Sequence, residues 1–70
     1  MTTIEMLNTI CNGWKENENG MLVNSNNGDI IDIAPALGTW FIIGDFGAVE
    51  GFETRSDAVE VYASKMVKND

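Results

Sequence analysis

The chain has no histidine, one cysteine, one proline and only four basic residues in a length of 70. Each scarcity removes a class of function. Without histidine, the side chain that most often serves as a general base near neutral pH, and most often ligates metals, is missing. A single cysteine, Cys11, can form neither an intramolecular disulfide nor the ligand set of a structural zinc site. Long apolar runs are missing too. The longest in the second half, Trp40–Ile43, falls far short of the roughly 20 residues a membrane-spanning helix needs. The start Met1-Thr2-Thr3-Ile4-Glu5 has neither the basic nor the apolar stretch of a secretory signal. The expectation is a soluble, cytoplasmic protein with Cys11 reduced. Against the four bases stand eleven acids, a formal net charge of -7. A surface of that sign repels nucleic acid and anionic membranes and attracts basic protein surfaces.

What is present suffices for one small folded domain. Hydrophobic residues make up 44% of the chain and include two tryptophans, too many for a disordered acidic tail. A core of this size supplies only about 3–5 kcal/mol, and no disulfide or metal adds to it. Close packing, a second copy or a partner must make up the difference.

Thr2-x-x-Glu5 has the spacing of a helix capping box. Ile4, Leu7, Cys11 and Trp14 then recur at helical intervals, with Ile10 beside them, predicting an amphipathic helix over 2–14 that frays between Gly13 and Glu18 and stops by Gly20. Asn19-Gly20 and Asn27-Gly28 bracket a short strand, Met21–Asn24, and the second pair signals a hairpin to Asp29–Ile33. In that second strand Ile31 and Ile33 share one face, Ile30 and Asp32 the other. Pro35 cannot donate to a ladder, so 34–38 reads as a loop. Thr39–Ile43, rich in β-branched and aromatic residues, is a strand. Gly44–Gly47 is a turn, and Ala48–Phe52 returns as a strand. Strict alternation there pairs Glu50 with Phe52 on one face, whereas a bulge at Gly51 brings Val49 and Phe52 together in the core. A second helix spans 55–68. Thr54 or Ser56 caps it, Asp57 lies in its first turn, and Val59, Tyr62, Ala63 and Met66 form its stripe, with Lys65 and Lys68 toward its C-terminal end. The fold class expected is α+β: a single domain over 1–70, order α-β-β-β(-β)-α, with an antiparallel sheet of three or four strands and both helices packed on one face.

Motifs that carry chemistry are missing from this layout. Neither Asn-Gly loop fits a calcium-binding EF-hand: placing Gly28 or Gly20 at the obligatory glycine puts Val23 or Lys15 at the first ligand position. Cys11 lies on the apolar stripe with no histidine to generate a thiolate, and reads as core. The carboxylate pairs Asp29/Asp32, Glu50/Glu53 and Asp57/Glu60 have no neighbours that would separate their protonation, as acid–base catalysis requires, and so small a domain leaves little room for a pocket of about 300 Å³ or more. Gly44-x-x-Gly47 lacks the Lys-Ser/Thr of a phosphate loop. Trp40, Phe41, Phe46 and Phe52 lack the basic groove that accompanies base-stacking platforms. No enzyme activity, cofactor, metal or direct nucleic-acid contact is expected.

Two surface features remain. One is acidity: Asp29, Asp32, Asp45, Glu50 and Glu53 around the sheet, with Asp57 and Glu60 entering the second helix. The other is Trp40-Phe41-Ile42-Ile43, apolar on both strand faces, so that either Phe41 and Ile43 or Trp40 and Ile42 must point away from the helices. Apolar patches rimmed by charge mark protein interfaces, unless loop 34–38 or a chain end covers them. The expected function is therefore non-enzymatic: an inhibitory protein whose acids occlude a basic, nucleic-acid-binding site on a larger protein, with Trp40 or Phe41 as anchor. Small acidic inhibitors of restriction and CRISPR machinery, made by phages and mobile elements, offer an analogy in size and charge. Charge density bounds the idea. A domain about 28 Å across faces roughly 16 phosphates of duplex DNA, more than eleven acids spread over every side can imitate. The alternative is a homodimer through the apolar sheet face, with acidity serving solubility.

Overall fold

A computed structural model of the protein describes residues 2–67. Helix α1 (Thr3–Ile10) starts at the expected capping box, with Thr2 Oγ1 accepting from the Glu5 amide at 3.1 Å and Glu5 Oε1 accepting from the Thr2 amide at 2.8 Å. It ends four residues before the predicted boundary, and the cause is a side chain. Asn8 Oδ1 accepts from the amides of Gly13 and Trp14 at 3.0 and 2.9 Å, drawing the chain out of the helix as soon as the last turn is complete. Trp14 keeps helical spacing in sequence but opens a strand, β1 (Trp14–Glu16).

Four further strands follow: β2 (Leu22–Asn24), β3 (Ile30–Ala34), β4 (Thr39–Gly44) and β5 (Gly47–Phe52). The sheet is an antiparallel meander of five strands in sequence order, one strand more than expected. Asparagine side chains build its turns. Asn17 Oδ1 accepts from the amides of Asn19 and Met21 in the first connection. Asn24 Oδ1 accepts from Asn26 and Asn27 in the second. Such side-chain acceptors substitute for ladder partners where the backbone reverses.

Phe41 pairs with Glu50 and Trp40 with Phe52, leaving Gly51 as an extra residue at φ 94°. This is the bulge alternative of the sequence reading. It turns both Val49 and Phe52 toward the helices, where they pack against the core, and leaves Glu50 exposed.

Helix α2 (Arg55–Met66) is capped by Thr54, whose Oγ1 accepts from the Asp57 amide at 3.0 Å. Lys68, expected at its C-terminal end, lies outside the described residues. Both helices lie on one face of the sheet, α2 across β3, β4 and β5 and α1 against β1 and α2. Leu7, Trp14, Leu22, Ile31, Ile42, Ala58, Val59 and Tyr62 form the core between the layers. Arg55 Nη1 reaches Glu16 Oε2 at 2.8 Å and the Gly20 carbonyl at 3.2 Å, tying the start of α2 to the first hairpin. Both ion-pair partners are partly exposed, so the pair itself adds little stability.

Tyr62 is the centre of the core and meets the Trp14 ring edge-on at a centroid distance of 5.1 Å. Its hydroxyl donates a short hydrogen bond to Asp29 Oδ2. Burial, then the Asp29 carboxylate as acceptor and negative neighbour, with smaller effects from Cys11, push the Tyr62 phenol far above the ordinary phenol range. The folded protein therefore keeps a proton that the unfolded chain releases near pH 10. The stability this contributes is complete below pH about 10 and is lost as pH rises beyond it. Tyr62 is the only tyrosine, so tyrosinate absorbance in an alkaline titration should appear together with loss of circular dichroism. Its appearance while the fold persists would contradict the buried phenol.

Candidate functional site

The helices cover one face of the sheet, and the register decides which residues occupy the other. Residues directly opposite one another in a ladder share a face. Lys15, Val23, Ile30, Ile43 and Ala48 follow one another across all five strands in one outer row. Asp32, Phe41 and Glu50 form the next row, with the aromatic ring between two carboxylates. Ala34 and Thr39 make a third. Among the described residues, no helix packs on this face. Ile43 is 39% exposed, Ala48 and Glu50 are exposed, and Val23, Ile30, Asp32 and Phe41 are half-buried by their neighbours in the sheet. Residues 35–38 form an exposed turn, held by the Leu37 and Gly38 amides donating to the Ala34 carbonyl. Phe41 with Ile43, rather than Trp40 with Ile42, thus points away from the helices.

The structure divides the acids and aromatics expected at an interface. It brings Asp32, Glu50 and Phe41 together on the outer face. Asp45 sits in the β4–β5 turn and Glu53 between β5 and α2, both exposed at opposite ends of β5. Asp57 and Glu60 are exposed on α2, in the helical layer rather than on this face.

Two residues are not surface groups of this kind. Asp29 is 3% exposed and accepts from Tyr62 in the core. The pairing arises from a residue 33 positions away, which no local pattern announces. Trp40 belongs to the helix-facing row with Ile33 and Phe52, and packs partly on the core. Phe46 folds from its turn onto α2, with its ring against Tyr62 and Lys65 Nζ above it at 5.4 Å.

Chemistry has little foothold elsewhere. An open cleft of about 340 Å³, larger than expected for so small a domain, lies where the two helices begin. Its polar groups are the Arg55 guanidinium, already bonded to Glu16 and Gly20, the Glu60 carboxylate, and the hydroxyls of Thr2, Thr3 and Ser56. Among the described residues, no group of three or more Cys, Asp or Glu side chains is placed to hold a metal ion.

The outer face presents an apolar row, an aromatic ring in the next row, and carboxylates on the strands either side of that ring. Residues 16–54, which supply most of the sheet, contain seven acids and no lysine or arginine. The one cation in these rows is Lys15, at the β1 end. No protein family, curated protein or solved structure matches this chain.

Proposed function

We propose that the protein is a non-enzymatic binding domain that lays the outer face of its sheet on a basic surface of a larger protein and occludes it. The observation that carries this reading is the row Asp32–Phe41–Glu50 beside the apolar row Val23–Ile30–Ile43–Ala48, on which neither described helix packs. Burying the apolar strip and the Phe41 ring would supply affinity. The carboxylates would select a cationic rim and speed its approach. Basic surfaces are characteristic of nucleic-acid-binding sites, so the consequence of docking would be inhibition of such a site, as in the small acidic inhibitors of restriction or CRISPR systems.

A face-to-face dimer would bury the same strip. It would also bury Asp32 and Glu50 of both copies between sheets about 10 Å apart, each copy carrying a net charge of -7. Repulsion of that kind favours a partner of opposite charge over a second copy.

The test is capture from a cell lysate by the tagged protein, washed at low and high salt, beside a variant carrying Asp32→Lys, Phe41→Ala and Glu50→Lys. A nucleic-acid-binding protein should be held at low salt and released at high salt. The variant should fold normally and bind it at least about tenfold more weakly. Equal capture by the variant would exclude the outer face, and salt-insensitive recovery of the protein's own copies would replace the proposal with self-association.

A further inference from the structure

The two edges of the sheet are unequal. The β1 edge is three residues long and carries Lys15 and Glu16. Short, charged edges resist pairing with another chain. The β5 edge is six residues long, with no proline or lysine. Its only irregularity is the bulge at Gly51, which leaves Gly47–Glu50 regular.

The orientation of the main chain along β5 follows from its hairpin. Asp45 and Phe46 are the only residues between the paired glycines Gly44 and Gly47, so that pair exchanges both hydrogen bonds, and alternation gives the same role to Ile42 and Val49. The N–H and C=O groups of the intervening residues, Ala48 and Glu50, therefore point to the free edge, and both residues are exposed. Four main-chain groups stand there in the spacing an antiparallel strand would satisfy.

We infer that β5 accepts an extended segment of the partner as a sixth, antiparallel strand. The inference rests on the protein-binding reading above and gives it a mode of attachment. The side chains beside the edge specify the occupant. Ala48 ends the outer apolar row and Glu50 ends the row containing Phe41, so the added strand continues both. An apolar residue faces Ala48 and a cation faces Glu50. In the antiparallel sense the cation comes first, giving Lys/Arg-x-apolar. Asp45 and Glu53, at the two ends of β5, favour further cations on either side. The occupant is thus a short, basic, β-prone peptide whose main chain supplies affinity and whose alternate side chains supply selectivity.

A library of random hexapeptides selected on the immobilised protein tests this directly. Enriched peptides should carry Lys or Arg two residues before an apolar residue. Exchange of the Ala48 and Glu50 amides should slow at least about tenfold when one such peptide is bound. Ala48→Pro removes an outward N–H without touching a bond to β4 and should abolish enrichment. Should that variant not fold, N-methylation of Ala48 in the synthetic chain removes the same donor. No enrichment, or enrichment that survives either change, would overturn the edge assignment. Peptides that survive Ala48 modification yet are lost with Phe41→Ala would locate binding on the outer face alone, which would sink the strand addition and leave the proposed function standing.

Discussion

Leu7→Ala is expected to lower the stability of this protein by about 2–5 kcal/mol. Leu7 is fully buried, the single such residue of α1, and joins Trp14, Leu22 and Tyr62 in the core cluster. Truncation removes the transfer free energy of the lost methyl groups and leaves a cavity that a helix held at both ends closes poorly. The capping box fixes the start of α1 and the Asn8 side chain fixes its exit. Against a core that supplies about 3–5 kcal/mol in total, a loss toward the upper end of that range leaves much of the population unfolded at 37 °C. Urea unfolding at low temperature would measure the change, and a loss below about 1 kcal/mol would contradict the complete burial of Leu7. Ile43→Ala is the matched control. Its side chain is on the outer face and 39% exposed, so its effect should be much the smaller.

The second large effect is expected at Gly13. Its φ is 110°, which non-glycine residues adopt only with strain. A Cβ built there would stand 2.7 Å from Asn24 Oδ1 and from Asn26 Nδ2. Asn24 cannot yield cheaply. It is fully buried, its Nδ2 donates to the Asn12 carbonyl at 3.0 Å, and its Oδ1 accepts the two amides of the β2–β3 turn. Gly13→Ala therefore combines backbone strain with the loss of at least one buried hydrogen bond, about 2–4 kcal/mol together. Asn24 links the exit of α1 to the second turn, so the damage should reach both. Chemical shifts in 11–15 and 24–28 should move together, while those of α2 change little. A stable Gly13→Ala protein with shifts confined to residue 13 would show that the asparagine cluster gives way freely.

These two residues mark what could be read along the chain and what could not. The capping box, the Leu7 stripe and the strands β2 to β5 follow from local spacing and turn chemistry, and the structure has them within a residue or two of expectation. The end of α1 does not follow. Ile4, Leu7, Cys11 and Trp14 fit a helical stripe, yet Trp14 serves the same core from a strand, because Asn8 captures the amides of Gly13 and Trp14. Periodicity identifies residues that face a core without identifying the element that carries them. The burial of Asp29 is illegible for a different reason. Beside Asn27-Gly28 it has the local signature of an exposed turn, and only Tyr62, from the last helix, makes its burial tolerable. The outer face was half legible. Alternation separates Trp40 and Ile42 from Phe41 and Ile43, but which pair meets the helices depends on the packing of α2 over Ile31 and Ile42. Asp32 and Glu50 beside Phe41 required the register and the Gly51 bulge as well.

Because β3 and β4 bury one face and turn the other outward, the residues that hold the core and those of the proposed binding face are written on alternate letters of the same strands. Ile31 and Ile42 are fully buried in the core, whereas Ile30, Asp32, Phe41 and Ile43 lie on the outer face, half-buried or exposed. Side chains of the second set stand on the opposite face of the sheet from the core, so changes among them leave the packing between sheet and helices in place. Under the proposed binding role, a lineage of such proteins could track a changing partner by rewriting every second residue of two strands, while the intervening residues hold the same scaffold throughout.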